Sequence, residues 1–97
     1  MTPVIISPAA RTDLMDIADY TSEASPQTAL EFVDKLEARC LKIGTSPESY
    51  RLRPELGVDL RSVVFSAYLI FYRVHEDAVR IERILHGSRN LPDIDFG

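Results

Sequence analysis

Residues 60–85 read LRSVVFSAYLIFYRVHEDAVRIERIL, and this stretch decides the fold. Leu60 to Phe65 is a short run with β-branched residues, and Ala67 to Val74 is a second, rich in aromatic and β-branched side chains. Ser66-Ala67 leaves room only for a tight link between them. His75-Glu76-Asp77-Ala78 is a polar turn, and Val79 to Leu85 makes a third run. Three consecutive strands with short links predict an antiparallel meander. In the middle run Tyr68, Ile70, Tyr72 and Val74 alternate with Leu69, Phe71 and Arg73, so both faces carry apolar groups. One face takes whatever helices the chain supplies. The other needs cover from a partner or from the chain's own loop.

Upstream of the meander the signals change period. Val4-Ile5-Ile6 is too short for a helix and suits an edge strand beside the first or last meander strand. Ser7-Pro8 reads as an N-cap followed by the first helical residue, where proline loses no hydrogen bond. Leu14, Ile17, Ala18 and Thr21 follow at helical spacing, with Asp13, Asp16 and Asp19 assigned to the wet side. Ser25-Pro26 repeats the start signal, and Ala29, Phe32, Val33, Leu36, Cys40 and Ile43 mark a second stripe. Gly44 reads as a left-handed stop, with Pro47 preventing continuation. The short link between the helices predicts an antiparallel helical hairpin. Residues 45–59, with two prolines and a glycine, read as irregular. The expected fold is α+β: an N-terminal strand, then a helical hairpin packed on a three- to four-stranded antiparallel sheet. Residues 1–97 are expected to form one domain with a flexible tail over 90–97.

The 97 residues, with 45% hydrophobic content, suffice for one core without staples. One cysteine excludes an internal disulfide framework and a Cys-rich zinc site, and two histidines leave little for a metal centre. No metal and no cofactor is expected. Apolar runs are far shorter than a membrane span, and the N-terminus lacks the basic start of a signal peptide, so a cytoplasmic location is expected. The net charge of −4 argues against a general nucleic-acid binder. The charge is uneven. Residues 1–46 carry four bases against seven acids, whereas residues 51–92 carry seven bases, all arginine, against five acids. Those arginines read either as ordinary surface charge or as a surface for an acidic partner or phosphates.

Nothing in the chain forms a Gly-rich phosphate loop, a nucleophile–base pair or a metal cluster. Cys40 sits in an apolar stripe and reads as a small core residue. Tyr68 and Tyr72 share a face, suited either to the core or to stacking on a base. His86-Gly87 ends a strand, where the histidine reads as a hydrogen-bonding group and the glycine as a turn. Arg83 and His86 fall on opposite faces of a regular strand; a bulge is needed to bring them together.

Five spaced pieces carry a family resemblance: Ser7 to Leu14 with Ile17 and Tyr20 following, Arg53-Pro54-Glu55-Leu56, Leu60-Arg61-Ser62, Tyr68 to Arg73, and Arg83 to Arg89. Together, in order and over nearly the whole chain, they resemble the ParE branch of the RelE/ParE superfamily, toxins of bacterial type II toxin–antitoxin pairs. The resemblance implies a helical hairpin on an antiparallel sheet. It implies a non-enzymatic inhibitor of DNA gyrase, silenced by a ParD-like antitoxin in a toxin–antitoxin hetero-oligomer, with no sequence-specific nucleic-acid binding of its own. The alternative it leaves open is a RelE-like, ribosome-dependent mRNA endonuclease, for which Arg61, Arg83 and His86 are the candidate catalytic groups. Such chemistry needs groups to activate a 2′-hydroxyl, steady a phosphorane and protonate the leaving oxygen. No lysine follows Lys42, and the net charge is acidic, unlike a ribosome-binding nuclease. The expected antitoxin contacts are Leu14, Ile17, Tyr20, Arg61, Tyr68, Tyr72, Arg73 and Arg83. The expected target contacts are Arg83, His86 and Arg89.

Overall fold

The computed structural model describes residues 1–96. The chain runs β1 (Val4–Ile6), α1 (Pro8–Ser22), α2 (Pro26–Lys42), a 3-10 turn at Ile43–Thr45, β2 (Arg51–Leu52), β3 (Leu60–Phe65), β4 (Tyr68–Val74), β5 (Val79–His86) and a 3-10 turn at Leu91–Asp93. Both helix starts form as the sequence predicts. Ser7 Oγ accepts from the Ala10 amide at 3.1 Å, and Ser25 Oγ accepts from the Thr28 amide at 3.4 Å.

The sheet has five strands in the order β1-β5-β4-β3-β2. The expectation of three or four antiparallel strands is corrected in two ways. β2 lies inside the stretch read as irregular, pairing Arg51 with Ser62 and Leu52 with Arg61. Two residues between prolines carry no period to read, so only pairing with β3 reveals them. β1 joins beside β5 but runs parallel to it, with Val4 opposite Val79 and Ile6 opposite Ile81. Its direction is set by where the helical hairpin returns the chain, which three apolar residues cannot encode.

Two apolar clusters flank the sheet. Leu14, Ile17, Leu36, Cys40 and Ile43 pack on Val63, Ile70, Tyr72, Val79, Ile81 and Ile84. On the opposite face Leu60, Phe71 and Leu85 meet Phe96, with Leu56, Leu69, Leu91 and Ile94 around them. The second face is therefore covered by the chain itself: the loop before β3 supplies Leu56, and the tail supplies Leu91, Ile94 and Phe96. The tail, expected to be flexible, lies against the sheet at this face. The Phe96 ring lies 4.7 Å from that of Phe71, and its carbonyl accepts from Arg73 Nη1 at 2.8 Å. Gly97 lies outside the described residues.

Gly44 also departs from its reading. It sits in the 3-10 turn, not in a left-handed stop. Its need is steric: a Cβ there would collide with the Thr2 carbonyl and press on Val4, and the Thr2 amide donates to the Gly44 carbonyl at 2.9 Å. Glycine allows the lead-in to β1 to pass against the end of α2.

Candidate functional site

The end of β5 is shaped by a carboxylate that the sequence assigned to water. β1 covers β5 only as far as Ile81, which leaves an open edge beyond it. α1 closes that edge. The Ser7 amide donates to the Ile81 carbonyl at 3.0 Å, and Ser7 Oγ donates to the Glu82 carbonyl at 3.0 Å. Nearly two turns further along α1, Asp13 Oδ2 accepts from the Ile84 amide at 2.9 Å. The same carboxylate receives Arg83 as a fork, Nε to Oδ2 at 2.8 Å and Nη2 to Oδ1 at 2.9 Å. Asp13 is 7% exposed. Its hydrogen bonds hold the Arg83 guanidinium pKa above its ordinary value.

Pairing between β4 and β5 skips a residue: Tyr72 faces Ile81 while Phe71 faces Arg83, so Glu82 is the bulged position. The bulge precedes Arg83 and does not join Arg83 to His86. Glu82 accepts from Arg73 at 2.7 Å and from Arg80 at 2.8 Å. Arg83 reaches around the edge to α1. His86 turns to Tyr68, ring to ring at 5.4 Å and nearly perpendicular.

The three candidate nuclease residues are not brought together. Arg61 donates to the carbonyls of Glu48 at 3.1 Å and Tyr50 at 2.7 Å, which tethers the chain leading into β2. It is level with Ile81 across the sheet, five positions short of His86. With Glu82 bulged, that is four rungs of the sheet, roughly 13 Å along the strand direction. Arg83 is held by Asp13.

The arginine-rich half is largely engaged within the chain. Arg53 meets Glu55 at 2.8 Å and Ser62 at 3.1 Å, and Arg73 also donates to the Val58 carbonyl at 2.9 Å. Among the described residues, the side chains of Arg51 and Arg89 make no hydrogen bond or ion pair, and both are exposed. Leu14, Ile17 and Tyr72, expected as antitoxin contacts, are buried and belong to the core. The Tyr72 hydroxyl donates to the Pro47 carbonyl at 2.6 Å, and burial pushes its pKa up to about 12. Tyr20 is exposed and Tyr68 half-buried.

A cleft of about 140 Å³ lies between the second half of α1 and the end of β5, lined by Asp16, Tyr20, Tyr68, His86 and Arg89. Phe32 packs on Tyr68, with ring centroids 5.8 Å apart. Burial, with Tyr20 adding, raises the Tyr68 phenol pKa. His86 Nδ1 accepts from the Ser88 amide at 3.1 Å and lies 2.7 Å from Ser88 Oγ. That pattern assigns the neutral ring its proton on Nε2. Of the expected target contacts, His86 and Arg89 share this cleft, whereas Arg83 does not line it. Asp13 was missed as a positioning residue. Its only sequence signal is an acid one residue before Leu14 of the buried stripe, at the border of the apolar face. Among the described residues no group of three or more His, Cys, Asp or Glu side chains is placed to hold a metal ion. Among the described residues no helix is long and apolar enough to cross a membrane.

A family model for the ParE toxin of the type II toxin–antitoxin system, parDE, matches residues 4–91. The chain belongs to the ParE toxin family. The match begins at β1 and ends at Leu91, so it takes in both helices, the whole sheet and the Asp13–Arg83 pair. Among solved structures, this ParE-family chain is similar to one from the "Chromosomal ParDE TA system from P. aeruginosa", with a TM-score of 0.79 and 20% identity. The superposition covers 89% of this chain and 96% of that one. At that identity the likeness is one of fold: two helices on a five-stranded, mostly antiparallel sheet. No curated protein matches the chain.

Proposed function

We propose that this ParE-family protein is a toxin that inhibits DNA gyrase by non-covalent contact and is silenced by a ParD-like antitoxin in a hetero-oligomer. The observation that carries the reading is the family match over residues 4–91. Its proposed place of action is the cytoplasm. The target-contacting patch is the exposed end of β5, where His86 and Arg89 stand beside Tyr20 and Tyr68. Arg89 has no partner among the described residues to compete with a target carboxylate or phosphate, whereas Arg83 is tied to Asp13. Antitoxin contacts are proposed at Tyr20, Tyr68 and the outward parts of Arg61 and Arg73. The RelE-like alternative is disfavoured by the internal tethering of Arg61 and Arg83 and their separation from His86.

Purified antitoxin-free protein, incubated with gyrase and supercoiled plasmid, is expected to accumulate cleaved DNA–gyrase complexes. Arg89→Ala should weaken this effect by roughly tenfold, about 1.4 kcal/mol at a contact interface. Untouched gyrase together with cutting of ribosome-bound mRNA would replace this reading with the nuclease one. Gyrase inhibition unchanged in Arg89→Ala would move the contact elsewhere.

A further inference from the structure

The cleft between α1 and the end of β5 holds both charge signs, and neither is neutralised within the chain. On α1, Asp13, Asp16, Ile17 and Tyr20 recur at i, i+3, i+4 and i+7, so one stripe of the helix faces it. That stripe is about 10 Å long at the helical rise. On the sheet side Tyr68 lies opposite His86 in the β4–β5 pairing. Beyond His86 the chain turns back. The Gly87 amide donates to the Ala67 carbonyl at 2.8 Å and the Arg89 amide to the His86 carbonyl at 3.0 Å, which returns Arg89 to the cleft. Asp13 is occupied by Arg83 and the Ile84 amide. Asp16 is not. Among the described residues its carboxylate makes no hydrogen bond or ion pair, and Arg89, which lines the same cleft, does not close on it. The Tyr68 phenol pKa is raised by burial and then by Tyr20, which places the two rings on one rim. Tyr20 itself is 72% exposed.

An unpaired carboxylate beside two phenol rings suits a guanidinium, because a planar cation can stack on an aromatic face while its fork meets the carboxylate. Ile17 and Ile84 offer apolar surface to the aliphatic stem of such a side chain. A lysine fits less well, being a hydrated point charge without a flat face. Arg89 and the Nε2–H of His86 ask for the opposite sign. A phosphodiester approaching them meets an unfavourable field, since α1 carries Asp13, Asp16 and Asp19 against Arg11 alone. A carboxylate that arrives with an arginine beside it brings no net charge and satisfies both ends of the cleft. We infer that this cleft seats a protein segment presenting an arginine next to an acidic residue, the arginine against Asp16 and the two tyrosines and the acid on Arg89 and His86, an inference that rests on the end of β5 being the target-contacting patch. The contact is thereby assigned to protein and not to DNA. A segment with the two charges exchanged is rejected, because each would face its own sign.

The test uses the isotope-labelled full chain and three capped hexapeptides. The parent carries an arginine two residues before a glutamate; the others replace the arginine by citrulline or the glutamate by glutamine. Amide shifts of Tyr20, Tyr68 and His86 in NMR titrations report on the cleft. The parent is expected to bind about fivefold tighter than either neutral version, with both differences shrinking as salt rises. Asp16→Asn should abolish the preference for arginine over citrulline and keep that for glutamate over glutamine, and Arg89→Ala should do the reverse. That crossed pattern cannot come from a general loss of structure or from net charge. Tyr20→Ala should weaken the parent by about threefold and leave the glutamate preference intact. All three positions are exposed, and unchanged shifts away from the cleft check that each variant folds. Equal binding of the arginine and citrulline peptides to the wild-type chain overturns the inference, as does an arginine preference that survives Asp16→Asn. So does a single-stranded oligothymidylate that shifts the same amides and binds tighter to Asp16→Asn, since the contact is then with DNA. The crossed pattern together with untouched gyrase supports the chemistry of the cleft and refutes gyrase as the source of the segment.

Discussion

Asp13→Ala tests whether the end of β5 is held by one carboxylate. The substitution removes the fork to Arg83 and the acceptor of the Ile84 amide in a single step. Removing one partner of a fully buried ion pair costs roughly 3–5 kcal/mol. The Arg83 side chain keeps 24% of its exposure, so water recovers part of that cost. The Ile84 amide, left without an acceptor, costs about 1–3 kcal/mol by itself. Both losses come through the same carboxylate and overlap, which gives a total of about 3 kcal/mol. In a domain of this size, that corresponds to a Tm lower by about 12–24 °C. Asp13→Asn keeps a carbonyl for the Ile84 amide and loses the charge, so about 1–2 kcal/mol is expected. Urea unfolding at neutral pH measures each value. Asp16→Ala, three residues along α1 and exposed, serves as the control and should change stability by less than about 0.5 kcal/mol. A cycle with Arg83→Ala should return a coupling of about 1–3 kcal/mol. If Asp13→Ala behaves like Asp16→Ala, the carboxylate is a surface group and the account of the β5 edge is wrong.

Two further outcomes follow from the packing. Phe96→Ala empties the space against Phe71 and loosens the second face; because the tail can partly relax, about 2–3 kcal/mol is expected, below the core range. Unfolding midpoints together with dye binding to the uncovered Leu60, Phe71 and Leu85 face would measure it, and unchanged values would mean the tail does not seal the sheet. The Cys40 thiol, pushed from 9.0 to about 12 chiefly by burial and then by Glu37, should resist disulfide-exchange reagents at pH 8 until the chain unfolds. Because its pKa is raised in the folded state, the contribution is intact below pH 9 and is lost as pH climbs from about 9 toward 12. Tyr72 acts in the same direction from pH 10 upward. Cys40→Ala should therefore flatten the fall in stability that begins near pH 9; an unchanged slope would contradict the assignment.

Much of the architecture was legible locally. Ser7-Pro8 and Ser25-Pro26 mark helix starts because an N-cap and the residue after it act within one turn. The meander reads directly because alternation and short links are properties of neighbouring residues, and the β3 bounds agree with the structure. The site was less legible. Of the expected target contacts, His86 and Arg89 share a cleft, whereas Arg83 does not line it. The bulge at Glu82, which frees Arg83 to turn to α1, depends on pairing with β4. No pattern within β5 encodes it.

The sequence by itself determined the elements, the α+β class and the need to cover a sheet that is apolar on both faces. Each of these follows from side-chain period and chain stiffness over a few residues. Only the tertiary structure decided what does the covering and which charges remain available. Asp13 finds Arg83 across 70 positions, and Arg73 finds the Phe96 carbonyl across 23. Such pairs form because folding brings distant groups to one edge or one face, where an unmet charge or amide would be costly. The same process leaves Arg51 and Arg89 without side-chain partners among the described residues. A charge count along the chain cannot separate these free groups from the occupied ones, because the difference between them exists only in three dimensions.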